Sequence, residues 1–305
     1  VGTQSRRGCS RHDWPAWLSE FASTAILLLV MVTLFRHLFG AGGLLGHALP
    51  SQESRLVADA VVSGITVGLL IVSPFGRRSG GHMNPAVSLA FWLMGALPGR
   101  DAAAYAAAQL AGSLTGVAVG RLVWGEQTAH RAVGYAVVRA SDRIPWTAVF
   151  ASEAAATAVM LAAVTFVAAR ARLAIVLPAV AGSVIAALIL LTGRWTGGSF
   201  NPARQFGPEL FSHDLAWLWV YLIAPLVGGG LFGLVRRCLP HAPALPTSPA
   251  PAPAPAPGVA PAPAPAPAPG VAPEVACRPH AGLCDGPIRG EYGPEAGHGG
   301  PRTTG

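Results

Sequence analysis

Long apolar runs alternate with short polar breaks through the first 240 residues. Six segments reach the roughly 20 residues that a membrane-crossing helix needs: 17–39, 56–73, 101–123, 146–169, 173–192 and 215–235. The first carries Glu20 and no cleavage-site pattern after its apolar run, which predicts a retained span rather than a secretory leader. Two further apolar stretches, 84–94 and 201–211, are too short to cross and follow glycine pairs, the mark of re-entrant elements.

The spacing of these pieces exposes an internal repeat. Glu20-Phe21-Ala22-Ser23-Thr24 in the first span matches Glu153-Ala154-Ala155-Ala156-Thr157 in the fourth. Gly80-Gly81-His82-Met83-Asn84-Pro85-Ala86 matches Gly197-Gly198-Ser199-Phe200-Asn201-Pro202-Ala203. Glutamate and asparagine lie 64 residues apart in the first copy and 48 in the second, the difference falling in the longer 40–55 connection. Each copy, about 15–124 and 145–237, holds three spans. An odd number makes the second copy enter the membrane from the opposite face, the inverted-repeat plan of many channels and transporters.

Composition supports a polytopic membrane protein. Only 11% of the 305 residues are charged against 52% hydrophobic, where soluble domains carry about 25% charged residues. All 21 basic residues are arginines, giving a net charge of +7. They stand scattered between apolar runs and form no stripe for nucleic acid, so no nucleic-acid partner is expected. Ten flank one side of the spans and seven the other. That bias puts both termini, including residues 1–14, in the cytoplasm and the body of the chain in the cell membrane. Trp14, Trp17, Trp146, Trp217 and Trp219 stand near span ends as interfacial anchors. Residues 241–305 hold 17 of the 28 prolines, mostly in Ala-Pro alternation, and predict an extended, disordered cytoplasmic tail. The four cysteines imply no disulfide framework. Cys277, His280 and Cys284 in the tail have soft-metal ligand chemistry, but three ligands on an unstructured segment leave no metal site and no cofactor expected.

The chemistry concentrates at the two short segments. Asparagine favours the N-cap and proline the first helical position, so each Asn-Pro-Ala starts a helix at its asparagine. Two such helices entering from opposite faces bring their N-termini together at the midplane and place positive partial charge there. Asn84 and Asn201 offer N–H donors at that point, and the preceding loops, 79–83 and 196–200, offer a ladder of carbonyl acceptors. Such a path suits water or a small uncharged hydroxylated solute and repels cations.

These residues resemble the aquaporin, or major intrinsic protein, family. The resemblance rests on the duplicated Asn84-Pro85-Ala86 and Asn201-Pro202-Ala203, on Arg204 directly after the second copy, on Phe206-Gly207-Pro208, and on both Glu-x-x-x-Thr helices. Ala108-Gln109-x-x-Gly112 and Pro225-x-x-Gly228-Gly229 fit as well. It implies an all-α right-handed bundle of six transmembrane helices and two re-entrant half-helices. It also implies a homotetramer in the lipid bilayer with one pore per subunit, and a filter toward the outer side made by four positions. Three are Ile189, Gly198 and Arg204. The fourth is Ser63, given a one-residue insertion before Ser79, or Gly64 without it. Orthodox water channels resemble Phe/His/small/Arg here. A small residue and Ile189 predict a wider, less polar filter, closest to channels for metalloid hydroxides such as arsenite or boric acid. Glycerol facilitators differ in carrying aspartate where this chain has Gln205.

Glu20 and Glu153 are intramembrane acids, which by default mark ion or proton sites. Here each is expected to accept hydrogen bonds from the non-helical loop of its own repeat. Arg204 is expected to act in the pore as donor and cation barrier, and His82 to support its loop. Gly112, Gly116, Gly228, Gly229 and Gly233 predict close helix crossings. A coupled secondary transporter is the alternative to a passive channel, since it shares the inverted repeat and broken helices. An enzyme is not expected: His-Glu-x-x-His and Gly-x-Ser-x-Gly are both absent.

Overall fold

The structure is a computed structural model and describes residues 13–239. The N-terminal twelve residues, the Pro/Ala-rich segment from 240 onward and the Cys277/His280/Cys284 cluster lie outside the described residues. Six helices are long and apolar enough to cross a membrane. They are α1 (Trp14–Phe39), α3 (Gln52–Val72), α6 (Gly99–Trp124), α7 (Trp146–Ala168), α8 (Leu177–Thr196) and α10 (Leu218–Cys238). Between them lie α2 (Leu44–Ala48), α4 (Pro74–Ser79), α5 (Pro85–Leu93) and α9 (Pro202–Ser212). Among the described residues there is no strand.

Local chemistry explains where the boundaries differ from those expected. The second span begins at Gln52 rather than 56 because the Ser51 hydroxyl accepts from the Ser54 N–H and caps it. The fifth begins at Leu177 and runs to Thr196, since residues Ala171–Val176 form a 3-10 turn and Pro178 seats in the first turn of α8. Helix α4 was not expected. Ser73 caps it, Pro74 opens it, and Gly80 at φ 93° ends it in the left-handed region. Ser79 and Thr196 therefore close helices, and the non-helical loops shrink to 80–84 and 197–201.

The packing repeats with the sequence. Helix α1 packs on α6 as α7 packs on α10, and α9 lies against α6 as α5 lies against α10. Helices α3 and α8 pack on each other across the repeat. Glycines set these distances. A Cβ placed on Gly112 would lie 2.4 Å from the Phe21 carbonyl oxygen, and one on Gly228 would lie 2.0 Å from that of Ala154. Phe21 and Ala154 each follow the repeated glutamate. Gly116 meets Ala25, Gly229 meets Ala86, and Gly233 meets Ala90 in the same backbone-to-backbone manner.

Helix α3 shows how one stripe faces inward and another outward. Asp59 and Ser63 are buried, while Val57, Val61, Ile65 and Leu69 are exposed. Residues four apart share a face, so one apolar row is left for lipid or a neighbouring subunit.

Candidate functional site

The two Asn-Pro-Ala motifs meet as a reciprocal brace. Asn84 and Asn201 are the N-caps of α5 and α9; each side-chain oxygen accepts from the N–H two residues on, Ala86 and Ala203, at 2.9 Å. Pro85 and Pro202 follow in the first helical position. Each amide then crosses to the other copy. Asn84 Nδ2 donates to the Phe200 carbonyl at 2.9 Å, and Asn201 Nδ2 donates to that of Met83 at 2.8 Å. A carboxamide carries two N–H bonds, so one on each asparagine is committed to the brace and one is left for the path. The brace holds Met83 and Phe200 at φ 47° and 50°, a left-handed conformation that L side chains rarely adopt.

Glutamates from the first helix of each repeat hold these loops. Glu20 accepts from the His82 and Met83 N–H groups at 2.9 and 2.6 Å, and Glu153 from those of Ser199 and Phe200 at 3.2 and 2.7 Å. Both carboxylates are fully buried, where unpaired loop donors would be costly. A matching pair of tyrosines closes each loop from behind. Tyr105 donates to the Ser79 carbonyl at 2.8 Å and Tyr221 to that of Thr196 at 2.5 Å. These tyrosines extend the repeat beyond the motifs identified in sequence: each stands seven residues before a crossing glycine, Gly112 or Gly228. His82 is held by Ser88, with Nδ1 3.1 Å from its hydroxyl, and its ring packs against Phe91 and Tyr105. The acceptor ladder is shorter than expected. The carbonyls of Ser79, Met83, Thr196 and Phe200 already accept from protein donors, leaving residues 80–82 and 197–199 to offer theirs.

A cavity of about 260 Å³ runs past this brace. Asn84 and Asn201 border it, and His82, Leu97, Ser63, Ile189, Gly198 and Arg204 line it as well. The four expected filter positions, on α3, α8, the second loop and α9, thus all line one cavity. Gly64 does not join them. It packs against α8, where an added Cβ would lie 2.4 Å from the Gly182 carbonyl oxygen. Gly198, at φ 70°, sits against Ile189, so neither residue brings an aromatic or imidazole ring to the passage.

Arg204 is positioned by the connection between α6 and α7. Its Nη1 donates to the Ala136 carbonyl at 2.6 Å and its guanidinium lies over the Phe35 ring at 5.5 Å. Gln205 clamps the same segment in both directions. Its oxygen accepts from the Val138 N–H at 3.1 Å, and its nitrogen donates to the Val138 carbonyl and to Glu209, both at 2.7 Å. Gln205 appeared in sequence only as a departure from glycerol facilitators, and its latching role depends on a loop 67 residues away. Asp59, Asp101 and Glu209 are also buried, in addition to the two glutamates recognised from the repeat. Asp59 was visible as an acid inside an apolar span, four residues and one turn before Ser63.

Comparison with known proteins agrees with this architecture. Residues 9–236 match the family described as major intrinsic protein. The chain is 32% identical over 238 residues to "Probable aquaporin TIP2-2" of Oryza sativa subsp. japonica, covering 75% of this chain and 90% of that protein. It is 29% identical to "Probable aquaporin NIP7-1" of Arabidopsis thaliana, covering 80% and 84%, and 30% identical to Aquaporin-8 of Mus musculus, covering 73% and 84%. Among solved structures, the aquaglyceroporin from Plasmodium falciparum has the same fold, with a TM-score of 0.62 at 22% identity over 74% of this chain and 96% of that one. The fold, the inverted repeat and these matches together show that this chain belongs to the major intrinsic protein family.

Proposed function

We propose that this protein, a passive channel for water and small neutral solutes, has a filter wide enough to admit glycerol and metalloid hydroxides such as boric acid and arsenite. The observation that carries this is that Ser63, Ile189, Gly198 and Arg204 all line the cavity. A serine and an isoleucine stand where a phenylalanine and a histidine would narrow the passage, and a glycine backbone forms the third side. The wall so made is short of polar groups except at Arg204 and Ser63, so size discrimination is relaxed while charge discrimination is kept.

In this reading Arg204 donates to the solute and repels cations, and the free N–H of Asn84 and of Asn201 orients it at the midpoint. The partial positive charge at the two helix N-termini opposes proton passage there. Glu20, Glu153 and His82 support the loops and take no part in transport. The arginine bias supports cytoplasmic termini and residence in the cell membrane. The exposed apolar row of α3 suits assembly as a homotetramer with one pore in each subunit.

The test is stopped-flow swelling of proteoliposomes with water, glycerol, urea, boric acid and arsenous acid. Glycerol and the two metalloid hydroxides should permeate well above the rate of empty vesicles. Water flux with those three solutes at the empty-vesicle rate would reduce the function to water alone.

A further inference from the structure

Helix α9 brings Arg204 to the cavity wall, and further along the same helix stands a buried acid that transport leaves unused. Glu209 is 1% exposed. Its Oε1 accepts from Gln205 Nε2, one turn back on α9, at 2.7 Å, and its Oε2 is buried with no hydrogen-bond partner among the described residues. A carboxylate within an apolar body is costly, and more so with one oxygen unsatisfied. The loop-support role of Glu20 and Glu153 does not extend to it. Glu209 accepts from a side-chain amide rather than from loop N–H groups.

Facing a carboxylate, that amide must present its nitrogen and not its oxygen. In this orientation its nitrogen also donates to the Val138 carbonyl at 2.7 Å, and its oxygen accepts from the Val138 N–H at 3.1 Å. Turned over, the amide would set donor against donor and acceptor against acceptor at both places. Val138 stands two residues from Ala136, whose carbonyl accepts from Arg204 Nη1 at 2.6 Å. Tyr135 and Ala136 are left-handed, at φ 53° and 67°, a conformation that such residues keep only where their surroundings impose it. At Ala136 and Val138 it is α9 that grips the backbone.

We propose that Glu209 is a positioning residue of the filter. By fixing the Gln205 amide it fixes the strained 135–138 backbone, and with it the carbonyl that holds the Arg204 guanidinium against the wall. Without the carboxylate the amide turns, the clamp on Val138 opens, and Ala136 relaxes out of the left-handed region. Arg204 then loses its anchor and its guanidinium is free to lie across the passage, which obstructs glycerol more than water. The inference rests on the wide-filter reading, because only a wide filter passes the larger solute whose flux reports the obstruction.

The experiment compares glycerol and water permeability of the full chain in proteoliposomes for wild type, Glu209→Leu, Glu209→Ala, Glu209→Gln, Gln205→Leu and the double variant Gln205→Leu/Glu209→Leu. The glycerol-to-water ratio should fall about fivefold in Glu209→Leu and Glu209→Ala, the order expected for losing one hydrogen bond. The alanine variant serves if leucine does not reach the membrane. Glu209→Gln keeps an acceptor oxygen for Gln205 and should stay within about twofold of wild type. The double variant should match Gln205→Leu alone, since Glu209 acts through that amide. A wild-type ratio in either folded removal variant overturns the positioning role and leaves the wide filter standing. So does a double variant in which the two losses multiply, or a Glu209→Gln as impaired as Glu209→Leu. Absence of both removal variants from the membrane makes Glu209 a folding residue and overturns the role as well. Failure of wild type itself to pass glycerol overturns both readings.

Discussion

The filter is decided by single side chains. Ile189 stands where an imidazole would add both bulk and a donor, so Ile189→His should narrow and polarise the passage. We expect glycerol permeability to fall by about tenfold relative to water in stopped-flow swelling, the scale of one misfitted contact of about 1.4 kcal/mol. An unchanged ratio would show that position 189 does not face the solute. Glu153 is a different kind of residue: it accepts from the Thr196 hydroxyl at the end of α8 and from the Ser199 and Phe200 N–H groups in the second loop. Glu153→Gln replaces one acceptor oxygen by a donor facing those N–H groups, at a cost of about 1–3 kcal/mol. Detergent-extracted yield and melting temperature should drop while the protein that folds keeps its solute ranking. Normal yield with new proton leakage would instead make Glu153 part of a conduction path. Both glutamates were legible in the sequence because the repeat marks them. Gln205 was not, because the Val138 backbone it latches comes from a distant, irregular connection whose path no periodicity encodes.

At the scale of elements, the half-helices are written locally and their meeting is not. Asn-Pro sets the cap and first turn of α5 and α9 from four consecutive residues. The left-handed Met83 and Phe200 that aim those helices carry no sequence signal, since neither residue favours that region. They persist because each carbonyl is gripped by the asparagine of the other copy and each N–H by a glutamate. The crossings are more legible. Gly228 lets α10 rest on the backbone of α7, and Gly228→Ala would force a methyl to within 2.0 Å of the Ala154 carbonyl oxygen. We expect a loss of about 1–3 kcal/mol from overpacking, read as a lower melting temperature. Gly230→Ala, two residues on from Gly228 but with only leucine methyls beyond 3.5 Å, should be close to neutral. Equal melting of the two variants would show that the close crossing contributes little.

For the whole molecule, the odd number of spans in each repeat ties the orientation of every connection to that of the termini. Cys238 ends α10 exposed, and on the proposed topology it and the cysteines at sequence positions 9, 277 and 284 all fall on the cytoplasmic side. A membrane-impermeant maleimide should therefore label none of them in intact cells and should label Cys238 once the membrane is permeabilised. Labelling of Cys238 in intact cells would reverse the topology and place the filter on the opposite face.

The sequence by itself determined the class, the six spans, the inverted repeat and the identity of the two asparagines and of Arg204. It could do so because bilayer thickness, helix capping and charge asymmetry act through residues near one another in the chain. Tertiary structure decided what faces the path. It turned Ser63 rather than Gly64 inward, because Gly64 is needed against Gly182 where α3 and α8 cross. It hung Arg204 on Ala136 and committed half of each asparagine amide to the other repeat. Each of these is a contact between residues far apart in sequence, and only closure of the two halves on each other brings their atoms within hydrogen-bonding distance.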